Sequence, residues 1–152
     1  MLKRRILSVL IVLAMLVPFA GAAQTAQDNM RGVWVASVAN IDYPSSAGMT
    51  AQALAAEANT MLDNIAAMGL NTVFLQVRPS ADALYKSSLF PQSRYVSGTC
   101  GAAPDGDFDV LAYWVEGAHK RGLQLHAWVN PYRVRLNETR PPNVAENSLE
   151  NT

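Results

Sequence analysis

The chain has 152 residues, which is enough for one small domain or for part of a larger one. Half of the residues are hydrophobic and Gly and Pro are sparse, which excludes a disordered or collagen-like chain. The formal net charge is zero, but three of the 12 basic residues lie within the first five positions. The rest of the chain lacks the basic excess that nucleic-acid binding requires, and the single cysteine, Cys100, excludes an internal disulfide.

Residues 1–23 have the three parts of a secretory signal peptide. Lys3, Arg4 and Arg5 precede an apolar run over residues 6–19, and small residues follow at 20–23. The apolar run is shorter than the ~20 residues that span a bilayer, so we expect cleavage after Ala22 or Ala23 and no stable membrane anchor afterwards. The mature protein is then exported, to the periplasm or outside the cell.

Strands and helices alternate along the mature chain. In chain order we predict a strand at 31–40, a helix at 51–68, a strand at 70–78, a helix at 109–121 and a strand at 123–130. Thr50 is the predicted N-cap of the first helix, and Gly69 and Gly122 are the predicted stops of the two helices. A long connection covers 80–106, and residues 134–152 form a polar tail that we interpret as a truncated continuation.

This order predicts an α/β fold with a parallel sheet. One face of each strand is aliphatic, as in Val73, Leu75 and Val77, and the other becomes polar and aromatic towards the C-terminal end, as in the shared face of Trp128 and Asn130. A doubly wound sheet would bury aliphatic side chains on both faces, whereas a TIM barrel has its active site at the C-terminal rim. We therefore predict the N-terminal portion of a (β/α)8 barrel over residues 31–133. About three strands and two helices leave the barrel incomplete, because eight units need ~250 residues.

The first candidate motif runs from Gln76 to Tyr85 and opens the long connection. Arg78 has the geometry to bind a carboxylate or sugar hydroxyls, and Asp82 to bind Arg78 or a pair of hydroxyls. The alternative is an internal Arg78–Asp82 ion pair that only shapes the loop.

The second motif runs from His126 to Arg133. Trp128 and Tyr132 offer flat apolar surfaces, and Asn130 offers a hydrogen-bond donor and an acceptor, a mixture that suits sugars. Core packing remains the alternative for Trp128, and a satisfied interior histidine is the alternative for His126.

Glu116 and His119 have the E-x-x-H spacing of some helical metal sites. No second such pair occurs, and these residues fit the solvated face of a helix better. The sequence therefore predicts neither a metal site nor a cofactor.

Five motifs in order make the chain similar to a known family. They are RGVWV at 31–35, NID at 40–42, QVRP with DALY between 76 and 85, AHKRG at 118–122 and HAWVNPYR at 126–133. The chain resembles the glycosyl-hydrolase-like TIM-barrel family, which includes the divisome-associated glycosyl hydrolases of bacterial envelopes. The resemblance implies a barrel that hydrolyses glycan strands of peptidoglycan without stem peptides. The chain departs from the pattern at Tyr43, where Trp is usual, and at FPQS (90–93), which replaces Glu-Pro-Trp-Ser.

Together these motifs give a set of candidate substrate-binding residues at the strand ends and in the loops that follow. They are Trp34, Asn40, Asp42, Gln76, Arg78, Asp82, Tyr85, His126, Trp128, Asn130, Tyr132 and Arg133.

Glycosidases usually need two carboxylates, and related barrels carry them on later strands, so we expect the catalytic pair beyond Thr152. We expect Asp42 and Asp82 to bind or to position substrate. A non-catalytic glycan-binding protein and an inactive truncated product remain alternatives to an enzyme.

Overall fold

The computed structural model describes residues 29–135. The predicted signal peptide and nearly all of the predicted polar tail lie outside this part of the chain. The helices and strands are, in chain order, β1 (Gly32–Val35), α1 (Ala51–Ala67), β2 (Thr72–Arg78), α2 (Arg94–Ser97), α3 (Val110–Lys120) and β3 (Gln124–Val129). None of the helices in residues 29–135 is long and apolar enough to cross a membrane.

The three strands form one parallel sheet with β2 in the centre. Trp34 of β1 is in register with Phe74 of β2, and Phe74 in turn with His126 of β3. The helices α1 and α3 connect consecutive strands, as in the β/α units of a barrel. The prediction of a partial TIM barrel is confirmed, with the one-turn helix α2 as an addition inside the long connection.

The first strand is shorter than predicted. It ends at Val35, and a 3-10 turn follows at Val38–Asn40, within which Ala39 and Asn40 both have a φ of 54°. The backbone N–H groups of Ser37 and Val38 donate to Oε1 of Gln76, at 3.0 and 2.9 Å. The side chain of Gln76 on the neighbouring strand thus accepts both backbone hydrogen bonds, and these bonds stabilise the turn.

Side chains cap the N-termini of the two long helices, at the predicted Thr50 and at Asp109, which the sequence analysis placed inside the helix. The side chain of Thr50 accepts a hydrogen bond from Ala53 N at 3.2 Å, and that of Asp109 accepts one from Ala112 N at 2.9 Å. Gly69 and Gly122 follow α1 and α3 in left-handed backbone conformations, which glycine adopts without strain.

The core lies between the sheet and the two long helices. Val73, Leu75 and Val77 of β2 are buried in one cluster with Leu62 of α1 and Trp114 of α3. The two helices approach closely: a Cβ at Gly117 would lie 2.8 Å from Cδ1 of Leu62.

Tyr43 belongs to this core. Its ring is fully buried with an edge-to-face contact to Trp114 at 4.9 Å, and its hydroxyl donates to the carbonyl of Leu54 at 3.1 Å. Burial raises the pKa of the Tyr43 hydroxyl well above its usual range. Tyr43 stands where the family usually has Trp, so this difference exchanges one aromatic residue for another in the core.

Candidate functional site

The inner face of the sheet, opposite the helices, carries an aromatic cluster of Trp34, Phe74, His126 and Trp128. Trp34 stacks on Phe74 with ring centroids 4.6 Å apart and 17° between the planes, and contacts Trp128 edge-on at 5.1 Å. Phe74 contacts the tilted ring of His126, also at 5.1 Å. Each of the three strands contributes at least one ring, and the register of the sheet brings these rings into contact.

The aromatic cluster is open to solvent. Trp34 is 59% exposed, whereas its neighbour Val35 on the helix-covered face is 2% exposed. His126 is also exposed, and Phe74 and Trp128 are half-buried. This exposure is that of an unclosed three-stranded sheet, in which no further strand packs over the inner face within residues 29–135.

Asn130 anchors one side of the cluster. Its Oδ1 accepts a hydrogen bond from Nε1 of Trp128 at 3.0 Å, and its Nδ2 donates to the carbonyl of Pro79 at 3.1 Å. Its backbone N–H donates to the carbonyl of Arg78 at 3.0 Å. The sequence predicted that Trp128 and Asn130 share a face, and the structure shows that Asn130 fixes the indole orientation.

Gln76 lies near the C-terminal end of β2, and its side chain is fully buried. Its Oε1 accepts the two backbone N–H groups after β1, and its backbone carbonyl accepts a hydrogen bond from the Ser37 hydroxyl at 2.7 Å. Its Nε2 is buried with no partner among the described residues. Gln76 therefore ties the β1 loop to β2 and leaves one amide donor unused.

Arg78 lies at the end of β2, after a bulge between Gln76 and Arg78. Its guanidinium carbon lies 3.7 Å from the centroid of the Phe90 ring, a cation–π geometry. No ion pair joins it to Asp82, so the internal pair considered as an alternative is absent from the described residues. The long connection instead supplies an aromatic platform for the cation.

Asp82 is buried in the loop after β2. Its Oδ1 accepts the backbone N–H of Ser80 at 3.0 Å, and its carboxyl also bonds the side chain of Ser93. Burial raises the pKa of this carboxyl above its ordinary value, an effect that the hydrogen bonds oppose only in part. The pKa of Tyr95 is also raised, first by burial and then by the nearby charge of Asp82.

Asn40 and Asp42 shape the loop after β1. Nδ2 of Asn40 donates to the carbonyls of Pro44 and Tyr95, both at 2.8 Å, and Oδ2 of Asp42 accepts the N–H of Ala36 at 2.8 Å. Asp42 is exposed and lines a cavity of about 230 Å³ beside Trp34. Both residues thus have structural contacts, and Asp42 also lies near Trp34.

The remaining candidates are more scattered. Tyr85 is half-buried and packs against the hydrophobic core. Tyr132 is 95% exposed, and Arg133 is exposed. Glu116 and His119 lie on the solvated face of α3, where Glu116 pairs with Lys120 at 2.6 Å.

Residues 29–135 contain no group of three or more His, Cys, Asp or Glu side chains that could hold a metal ion. The sequence-based set of candidates missed Phe74, Phe90, Ser93 and Tyr95. Phe74 could have been identified from the sequence, because it lies two positions before Gln76 and so on the same face of the strand. Phe90 and Ser93 contact Arg78 and Asp82 across loop segments whose conformation no periodicity encodes.

The arrangement is suited to binding. It combines the aromatic cluster on the inner face with amide groups and a guanidinium nearer the C-terminal ends of the strands, the end at which barrel enzymes hold their ligands. Asp42 and Asp82 each accept a backbone N–H, as residues that position a loop do.

The parallel strands and their connecting helices define part of a TIM barrel, with the candidate residues on its inner face and in the loops that follow the strands. Residues 29–151 match the family model of glycosyl hydrolase-like 10, and the chain belongs to this family. It is 44% identical over 123 residues to glycosyl hydrolase YngK of Bacillus subtilis (strain 168), a match that covers 81% of this chain and 24% of YngK. It is 35% identical over 145 residues to glycosyl hydrolase DigH of Escherichia coli (strain K12), covering 88% of this chain and 32% of DigH. The chain thus spans a third or less of these curated relatives, and the family resemblance seen in the sequence is confirmed.

Proposed function

We propose that the chain is the N-terminal, substrate-binding part of a bacterial envelope glycoside hydrolase that acts on the glycan strands of peptidoglycan. The observation that carries the proposal is the aromatic cluster, open on the inner face and anchored by Asn130. Sugar rings present C–H faces that stack on aromatic rings and hydroxyls that need polar partners, and this surface offers both.

Two further features support this function. The family and the relatives named above are glycosyl hydrolases or resemble them. The first 23 residues have the pattern of an export signal, which would carry the protein to the compartment where peptidoglycan lies.

The test is binding of the full-length gene product to purified glycan strands that lack stem peptides. Trp34→Ala should weaken binding about tenfold, because an exposed stacking ring contributes on the order of 1–2 kcal/mol at a binding surface. Leu89→Ala is the matched control, because Leu89 is 73% exposed and lies outside the cluster. Equal affinities of the Trp34→Ala variant and the unmodified protein would contradict the proposal.

A non-catalytic glycan-binding protein is the second candidate. It would use the same aromatic cluster, and the described carboxylates Asp42 and Asp82 each accept a backbone N–H group in either case. The release of new reducing ends from bound strands separates the two candidates, because only the enzyme produces them.

A further inference from the structure

The turn at residues 38–40, directly after β1, holds two consecutive residues in the left-handed backbone region. Ala39 and Asn40 each have a φ of 54°, and neither is glycine. Asparagine tolerates this conformation, but alanine adopts it against a steric penalty, because its Cβ approaches a carbonyl oxygen. Such a conformation persists only where the surrounding structure enforces it, and it is concentrated at ligand-binding and catalytic sites. This left-handed turn is therefore a candidate functional element.

Hydrogen bonds from β2 fix the start of the left-handed turn. Oε1 of Gln76 accepts the backbone N–H groups of Ser37 and Val38 at 3.0 and 2.9 Å, and the Gln76 carbonyl accepts the Ser37 hydroxyl at 2.7 Å. All three residues are buried, where a hydrogen bond is stronger than in water. The start of the turn is thereby bound to the central strand.

The side chain of Asn40 fixes the end of the turn. Its Nδ2 donates to the carbonyl of Pro44 and to the carbonyl of Tyr95 in α2, both at 2.8 Å. Both hydrogen atoms of the amide are therefore used, and the bond to Tyr95 spans 55 positions of the chain. The N–H of Gly48 joins the same two segments by donating to the carbonyl of Val96 at 2.7 Å. Asn40 thus links the loop after β1 to the long connection after β2.

The helix α2 is in turn bound to the start of the long connection. The backbone N–H of Ser93 donates to the carbonyl of Ala83 at 2.8 Å, and its side chain bonds the buried carboxyl of Asp82. The loops after β1 and β2 therefore form one hydrogen-bonded unit at the C-terminal ends of their strands, where barrel enzymes hold their ligands. Each of these bonds joins two residues within 29–135, and none needs the strands that close a barrel.

We propose that Asn40 is a positioning residue that holds the loops after β1 and β2 in the arrangement that binds substrate. This inference rests on the proposed function, and it concerns how the site is prepared. The unit carries Asp42, which lies beside Trp34 of the aromatic cluster. Two loops that moved independently would have to be ordered when the ligand binds, and the cost of this ordering would lower the affinity. The left-handed turn directs the Asn40 side chain to Tyr95, and the bonds made there offset the steric penalty of the turn.

The experiment measures amide hydrogen exchange and glycan affinity on the full-length gene product. Asn40→Gly keeps a residue that adopts a positive φ but removes both side-chain bonds. Exchange should become faster in the loop after β1 and in α2 together. The affinity for peptide-free glycan strands should fall about tenfold, the value expected if the binding arrangement is populated about one tenth of the time. At saturating glycan the protection of both segments should return, because the ligand selects the ordered arrangement.

A second variant, Asn40→Asp, tests the same point without glycine. Aspartate has nearly the same shape and also tolerates a positive φ, but its carboxylate cannot donate to the two carbonyls. It should show the same joint loss of protection and the same loss of affinity.

Ala39→Gly is the matched control within the turn. It relieves the steric penalty and keeps both bonds of Asn40, so it should not lower the melting temperature and should leave the affinity within about twofold. Asn59→Ala is the control for the loss of a bridging amide. Asn59 bonds Tyr113 at 2.7 Å and Arg121 at 3.2 Å, between α1 and α3 on the helix-covered side of the sheet. Its loss should change neither the affinity nor the exchange of the two loops.

The outcomes separate the inference from the proposed function. If folded Asn40→Gly binds glycan as tightly as the unmodified protein, the proposed function stands and the inference is wrong. Reduced affinity without joint loss of protection, or protection that does not return in the complex, also contradicts the inference. If the unmodified protein binds no glycan, the proposed function is refuted. Joint loosening of both segments in free Asn40→Gly would then still support the coupling by Asn40, and loosening of the first segment alone would refute it.

Discussion

The two faces of the sheet differ in burial and in side-chain type on β1 and β2. On the helix-covered face, Val35, Val73 and Leu75 are almost completely buried in one aliphatic core. On the inner face, Trp34 and Phe74, in register on β1 and β2, form a stacked pair that is partly open to solvent. Adjacent positions of one strand therefore lie on opposite faces, one covered by the helices and one that we propose contacts a ligand.

This difference follows from the period of two along a strand. The three described strands do not close a barrel, so the inner face is uncovered within residues 29–135. In a closed barrel this face forms the packed interior, and ligands bind at its C-terminal rim. The comparison between the faces can be tested by substitutions at neighbouring positions.

The largest effect is expected for Leu75→Ala, compared with Phe74→Ala next to it. Leu75 is completely buried, so its truncation should lower the free energy of unfolding by about 2–5 kcal/mol. Phe74 is half-buried, and its truncation should cost less stability but weaken glycan binding by removing the partner of Trp34. Denaturant unfolding and binding to peptide-free glycan strands measure the two effects.

The opposite pattern would contradict the comparison. If Phe74→Ala destabilised the protein as much as Leu75→Ala and left the affinity of the folded protein unchanged, the inner face would be an ordinary core surface.

The sequence was sufficient to predict the features that depend on periodicity and on local chemistry. The parallel strands, the Thr50 cap and the shared face of Trp128 and Asn130 all follow from spacing or from one side chain acting on its own backbone. Phe74 could have been included in the site on the same grounds.

Features that depend on contacts between distant segments could not be predicted. Gln76 ends β1 early because its amide captures backbone donors some 39 positions away in sequence. The fold of the long connection places the Phe90 ring against the guanidinium of Arg78 and brings the Ser93 side chain within hydrogen-bond distance of Asp82. No short pattern encodes such contacts, and the expected alternative of an Arg78–Asp82 pair was wrong for this reason.

An intermediate effect is expected at the anchor of the aromatic cluster. Trp128→Ala should weaken glycan binding about tenfold or more, and Asn130→Ala by less, because Asn130 acts by holding the indole through its Oδ1. Asn130→Asp keeps this acceptor and loses the donor to Pro79, so it should retain more affinity than Asn130→Ala.

Glu116→Ala and His119→Ala serve as controls on the solvated face of α3, and both should bind as the unmodified protein does. Unchanged affinity in a folded Asn130→Ala protein would show that the orientation of Trp128 does not matter for binding. Affinities and melting temperatures of all variants should be measured together, so that lost packing is not mistaken for lost contact.

The smallest effect is expected at Asp82, a buried carboxyl in the loop that follows β2. Burial raises the pKa of Asp82 in the folded protein above its ordinary value. At pH values between the ordinary pKa and the raised one, the folded state therefore binds more protons than the unfolded state. The contribution of Asp82 to the free energy of unfolding is then fully present below about pH 4, and it falls as the pH rises through the folded-state pKa. Asp82→Asn keeps an oxygen to accept the Ser80 N–H but cannot ionise, so this part of the pH dependence should vanish in the variant.

Denaturant unfolding of both proteins between pH 4 and pH 8 measures the difference in their free energies of unfolding. Parallel pH profiles would mean that Asp82 ionises in the folded protein as readily as in the unfolded chain, and that the loop admits water to its carboxylate.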